Sequence, residues 1–306
     1  MERLDREPRL NHLTVSGVAA AGGALRRLAW WEWPAQRDDH VVICVHGLSR
    51  QGRDFDSLAR ALGGQARVLA VDVAGRGMSD WLADPMDYQV PTYAADLAQL
   101  VAHVRQQHPQ AAIDWVGTSM GGLIGMALAA RPDIGLRRLV LNDVGPSIRW
   151  EALQRIASYL GRHPSFPTEQ AAMDYLASIS TGFGPHSTGQ WQALSRPMLR
   201  ERDGLWWLHY DPAIAVPVRA LLNQEEAASR QAAAQGEAQL WGLYDQITAP
   251  TLLLRGDQSD LLSAATARLM TTRGPKARLV EFPGVGHAPT LVADDQTDAV
   301  RRFLLD

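Results

Sequence analysis

The 306-residue sequence holds a single cysteine, Cys44, so no disulfide can form within the chain. It holds no apolar run near the ~18–20 residues that a bilayer-spanning helix requires. Its opening stretch, MERLDREPRL, is charged where a secretory signal would have an apolar core. Excess charge of one sign is missing too. Thirty Lys and Arg stand against 33 Asp and Glu, mixed along the chain, for a formal net charge of -3. That leaves no basic footprint for nucleic acid and no pull toward an anionic membrane. No set of side chains has metal-ligand spacing, so no metal is implied. Repeats are absent, and only Gln231 to Gln239, rich in Ala and Gln, is compositionally biased. Cys44 stands in the apolar run Val41 to Val45 and is expected to be a packed strand residue rather than a reactive thiol. A reducing cytoplasm is the compartment these features suit.

What is present is an ordinary globular composition, 46% hydrophobic and 21% charged, long enough for one large domain with an insertion. Strands are expected at Leu10 to Val18 and Leu25 to Trp33, joined by an Ala-Gly-Gly turn near Gly22. From there short continuous apolar runs alternate with helical spacing. The strands are Val41 to Val45, Val68 to Val73, Ile113 to Val116 and Leu136 to Leu141, and the helices Asp54 to Leu62, Thr92 to Val104 and Met120 to Ala130. Such alternation implies a mostly parallel sheet flanked by helices, an α/β architecture. From Pro146 to Gly236 no strand is convincing. Trp150 to Leu160, Glu169 to Ile179 and Val216 to Ala234 are amphipathic, and four of the ten tryptophans fall in this stretch. The alternation resumes with strands at Thr251 to Leu254 and Ala277 to Phe282 and helices at Ser263 to Met270 and Asp295 to Leu305. The pattern predicts a core of residues 1–145 and 237–306 interrupted by a helical cap, 146–236.

The chemistry concentrates at strand ends. Gly117-Thr118-Ser119-Met120-Gly121 follows an apolar strand and opens a helix, the context of a nucleophile elbow. On so sharp a turn, side chains two residues either side of the serine would collide, which glycine avoids. The turn lifts the Ser119 hydroxyl above the sheet, and the helix start aims free N–H groups at developing negative charge. His46-Gly47-Leu48 follows the Val41 to Val45 strand. An oxyanion site needs two N–H donors aimed at one point, here Met120 and Leu48, with His46 as a loop organiser. His287, in Gly284-Val285-Gly286-His287-Ala288-Pro289, lies just past the last strand, and small neighbours let its loop swing over the sheet edge. For the acid that orients His287, Asp260 is favoured, because it lies three residues before the helix-capping Ser263. Asp257 is the alternative. Asp143 is a third candidate, and better suited as a turn former before Gly145-Pro146. Arg50 and Arg53 follow the oxyanion loop, where Arg50 could meet a substrate carboxylate such as that of a hydroxyacid oligomer.

With the order Ser119, Asp260, His287, the chain resembles the α/β-hydrolase superfamily over essentially its whole length. Asp72-Val73-Ala74-Gly75-Arg76-Gly77-Met78-Ser79 resembles a structural turn of that family, and Leu252 to Gly256 its strand before the acid. The chain departs from relatives with a proline-containing His-Gly-x-Pro turn and an aspartate nucleophile, which it lacks at position 119. The resemblance implies a cofactor-free serine hydrolase acting on a small-molecule carboxylic ester, lactones and thioesters included. A carbon–carbon hydrolase of the aromatic-degradation type shares the triad and cap, but Leu48-Ser49-Arg50-Gln51-Gly52 matches its oxyanion loop poorly. A ligand-binding receptor on the same fold is the third reading.

Overall fold

The computed structural model describes residues 7–17 and 24–306, so the turn expected near Gly22 lies outside the described residues. The chain opens with an antiparallel pair, β1 (Arg9–Ser16) and β2 (Leu25–Trp33). Then β3 (His40–Val45), β4 (Arg67–Asp72), β5 (Ala112–Thr118) and β6 (Arg138–Asn142) alternate with helices α1 (Asp56–Leu62), α2 (Val90–Gln107) and α3 (Met120–Ala129). The reason is visible in β3. Val41, Ile43 and Val45 pack into one hydrophobic cluster while Val42 and Cys44 pack into another. Successive side chains of a strand face opposite sides, so a continuous apolar run is what a sheet covered on both faces requires. Cys44 is wholly buried there, and burial pushes its thiol up, so it stays protonated.

The next segment departs from the expectation of a purely helical cap. Helices α4 (Trp150–Tyr159), α5 (Glu169–Ile179) and α6 (Thr188–Ser195) form, but so does a three-stranded antiparallel sheet. Its strands are β7 (Ser165–Phe166), β8 (Leu199–Arg202) and β9 (Leu205–Leu208), with β9 in the middle. The β8–β9 hairpin closes through Asp203-Gly204, whose φ angles of 55° and 74° are those of a two-residue turn with both residues left-handed. The single helix expected over Val216 to Ala234 is also two. Helix α7 (Val216–Leu222) ends at Asn223, and Glu225, in extended backbone, starts α8 (Glu226–Gln246). The cap boundary expected at 236 therefore falls inside one continuous helix.

The core closes with β10 (Thr251–Gly256), α9 (Ala264–Met270), β11 (Arg278–Phe282) and α10 (Asp294–Leu305). Eight strands form one sheet in the order β1-β2-β4-β3-β5-β6-β10-β11, parallel from β4 to β11. Their C-terminal ends thus share one rim, where ligands bind in open α/β sheets. Among the described residues no helix is long and apolar enough to cross a membrane.

Helix α8 is anchored by buried Trp241 and Tyr244, yet between them Gly242 is exposed and a Cβ there would meet nothing within 4 Å. Gly242→Ala is expected to stabilise the protein by about 0.5–1 kcal/mol by removing backbone freedom from the unfolded chain. Urea unfolding checks this, and an unchanged or lower midpoint would refute it.

Candidate active site

Ser119 sits between the end of β5 and the start of α3 with φ 52° and ψ -116°. Its N–H donates to Asn142 O at 2.9 Å, pinning the turn to the end of β6. A Cβ on Gly117 would lie 2.2 Å from Gly121 O, and one on Gly121 would lie 2.0 Å from Val45 O. Both glycines are therefore required by backbone packed against backbone. The Ser119 side chain makes no cap bond to its own helix, which leaves the hydroxyl free. It meets His287 Nε2 at 3.0 Å.

The far side of that imidazole meets a different carboxylate from the expected one. His287 Nδ1 is 2.7 Å from Asp143 Oδ2, a wholly buried carboxylate. Nδ1–H donating to a carboxylate leaves Nε2 with a lone pair facing the Ser119 hydroxyl. Asp143 also accepts from Gly256 N at 3.1 Å and Ser259 Oγ at 2.6 Å. Asp260, expected in this place, is instead half-exposed and takes Arg155 Nε at 2.6 Å and Nη2 at 3.0 Å. Asp257 accepts from Gly284 N at 2.9 Å and steadies the approach to His287. The correction has a simple cause. Strands β6 and β10 are adjacent and parallel, with Asn142 paired to Leu254, so their C-terminal loops leave the sheet side by side. Asp143 adopts φ 54°, a left-handed conformation that Asp tolerates, and starts the turn there as well.

The His46 loop meets Ser119 from the other side. His46 is fully buried, with Nδ1 2.7 Å from Gly47 O and Nε2 3.0 Å from Val73 N. Val73 N–H must donate, so Nε2 accepts and Nδ1–H donates to Gly47 O. Burial pushes His46 down to about 3, keeping it a neutral organiser. A Cβ on Gly47 would lie 3.7 Å from Ser119 Cβ, so the loop runs directly beside the serine. Leu48, after Gly47, lines a cavity of about 110 Å³ together with Ser119, and Met120, after Ser119, is buried at the start of α3.

The cap roofs this cavity with Tyr159, Tyr175, Phe183, Met198, Leu208 and Tyr210. The cap tryptophans do other work, as Trp207 stacks on His163 with ring centres 5.2 Å apart. Arg50 lines the cavity, but its charge is already matched. Its Nε and Nη2 donate to Asp54 at 2.7 and 2.6 Å, and Nη2 also reaches Leu194 O in the cap at 2.9 Å. Arg53 pairs with Asp56 instead and lies over the Trp31 ring. Among the described residues no group of three or more His, Cys, Asp or Glu side chains could hold a metal ion.

The turn after β4 is fixed by Asp72, whose carboxylate accepts from Gly52 N at 2.7 Å and Met78 N at 2.9 Å. Burial pushes its carboxyl from 3.8 up to about 6, and those two N–H groups oppose the rise.

A family model described as the alpha/beta hydrolase fold matches residues 40–294. The 3-hydroxybutyrate-oligomer hydrolase of Cupriavidus necator is 44% identical over 304 residues, 98% of this chain and 99% of that protein. An esterase of Mycobacterium tuberculosis is 30% identical, covering 80% of this chain and 72% of its own. The crystal structure of an alpha/beta hydrolase from Novosphingobium aromaticivorans superposes with a TM-score of 0.81 at 35% identity, covering 97% of this chain and 98% of its own.

Two measurements test this geometry. Asp143→Asn, which spoils the imidazole's orientation, is expected to lower kcat on p-nitrophenyl acetate by about 10⁴-fold. Asp260→Asn, which breaks an exposed pair, is expected to change it by less than about fivefold. The reverse ranking would return the acid to Asp260. For Asp72, the folded state favours the neutral carboxyl, so its stabilising contribution is complete below pH 3.8 and is lost as pH rises through about 6. Urea unfolding should show the stability of the parent relative to Asp72→Asn falling between about pH 4 and 6 and flat above about pH 7. A difference that rises with pH would contradict the burial argument.

Proposed function

Because this chain belongs to the α/β-hydrolase fold family, we propose that it hydrolyses carboxylic esters through Ser119, and that its substrates are short oligomers of 3-hydroxybutyrate. One observation carries the chemistry: the hydrogen-bonded series Ser119 Oγ, His287, Asp143 at the rim of a partly open cavity. His287 Nε2 takes the Ser119 proton as Oγ bonds to the ester carbonyl carbon. The oxyanion is held by the N–H groups of Leu48 and Met120. As the tetrahedral centre collapses, the ester C–O bond breaks and His287 gives its proton to the departing alkoxide. Water, deprotonated by the same nitrogen, then attacks the acyl group on Ser119 and frees the acid. Asp143 holds the tautomer and balances the imidazolium. No cofactor takes part.

The substrate class is supported by the 44% identity to the Cupriavidus necator oligomer hydrolase along nearly the full length of both chains. The cavity agrees with it. It is small, carbon-rich and bordered by the tyrosine rings of the cap, as suits a short aliphatic ester unit. We assign Arg50 to tying the oxyanion loop to the cap rather than to capturing a substrate carboxylate, because Asp54 already balances its charge.

The test is the release of 3-hydroxybutyrate from its dimer and trimer, beside p-nitrophenyl esters and a vinylogous diketone. The expected outcome is turnover of the oligomers, none of the diketone, and a fall in kcat of about 10⁶-fold in Ser119→Ala. Oligomers left intact while simple esters are cleaved would refute the substrate. Parent-like turnover by Ser119→Ala would refute the mechanism.

A further inference from the structure

Arg76, in the turn after β4, is wholly buried, and every group it touches is neutral. Its Nε donates to Leu48 O at 2.8 Å. Its Nη1 donates to Ala74 O at 2.6 Å and Tyr93 Oη at 2.9 Å. Its Nη2 lies 3.6 Å from Met120 Sδ. The rings of Tyr93 and Tyr88 stand 5.0 and 5.7 Å from its Cζ. A guanidinium is always charged, and removing it from water is costly unless something nearby gains from the charge. Among the described residues no carboxylate pairs with it directly, although buried Asp211 accepts from the hydroxyl of Tyr88, whose ring the guanidinium faces. Its contacts instead single out Leu48, through the carbonyl, and Met120, through the sulfur, the two residues proposed above to supply the oxyanion amides.

The side chain is also held in place from behind. Gly75 and Gly77 take φ 84° and 50°, and a Cβ on Gly77 would lie 2.3 Å from Asp72 Oδ2. Asp211 N donates to Gly75 O at 2.7 Å and Gly77 N to His209 O at 3.3 Å, so the cap clamps the same turn. Arg76 is not among the residues lining the cavity, so it has no access to substrate.

We propose that Arg76 is the positioning residue of the oxyanion site, fixing the Leu48 peptide and the start of α3 and setting a fixed positive charge behind the place where the oxyanion forms. The inference rests on the hydrolase reading above. The His46 imidazole senses the same charge: burial is the main cause of its depression, and the Arg76 guanidinium adds to it. In a site shielded from water, a fixed charge acts strongly on a transition state that gains charge and weakly on a neutral ester. The signature is therefore a loss in kcat with little change in KM.

The experiment compares the parent with Arg76→Met and Arg76→Lys, using ester turnover and inhibition by butylboronic acid, which adds to the serine oxygen as a tetrahedral anion. Concentrations are set by active-site titration. Arg76→Met is expected to lose about 10–100-fold in kcat and as much in boronate affinity, with KM within about threefold. Arg76→Lys keeps the charge but not the three-way fork and should fall between. A purely structural role predicts lower thermal stability with parent-like kcat and boronate affinity per active site, and that result would overturn the proposal. So would failure of both variants to fold, provided Tyr93→Phe, which removes one partner of Arg76, leaves kcat and boronate affinity unchanged. A parent that neither binds boronate nor turns over esters, or a Ser119→Ala protein that binds boronate equally well, would instead defeat the hydrolase reading itself.

Discussion

A carboxylate with no exposure to water must be supplied with donors from the protein, or it will not stay ionised. Asp143 is in that position, and its donors come from separate parts of the chain: Gly256 N at the end of β10, the hydroxyl of Ser259 and the imidazole of His287. Its neighbour Asn142 extends the convergence. The Asn142 carbonyl holds Ser119 N, and its side chain donates to Thr118 Oγ1 and Pro289 O. Two consecutive residues at the end of one strand thus secure the serine turn, the histidine loop and the neighbouring strand. The parallel register is what makes this possible, because it brings the ends of β5, β6 and β10 to a common level.

Much of that rim was legible in the sequence. Ser119 and His287 announce themselves through local chemistry: glycines where a turn has no room for Cβ, and small residues around a loop that must reach across. The acid has no such local mark. Asp143 before Val144-Gly145-Pro146 has the form of a turn-forming aspartate, and with φ 54° it is one, while also serving the imidazole. Which of two adjacent parallel strands supplies the carboxylate depends on sheet geometry, and one-dimensional spacing does not contain it. The hydroxyl of Ser259 was a partial clue, since it stands beside the expected acid and points back to Asp143.

The cap errors are of another kind. The signal was present and was outweighed. Asp203-Gly204 between Leu199–Arg202 and Leu205–Leu208 is a strong hairpin mark set among segments that carry helical spacing. The break between α7 and α8 had less to show, since Asn223 and Gln224 are ordinary helix residues, and tertiary packing decides there. The charged residues near the cavity teach a related lesson. Arg50 and Asp260 each looked chemically committed, and each has an opposite charge at hand, Asp54 for one and Arg155 for the other. Both tie the segment between β6 and α8 to the main sheet's loops.

The isolated bridge between Arg76 and Tyr210 makes the end of the cap sheet an appendage of the turn beneath it. On the opposite margin, Gly286 N donates to Gly182 O at 2.7 Å, riveting the cap to the histidine loop. A roof fastened at both edges has no free hinge, and tilting it as one piece would tear backbone pairs at each side.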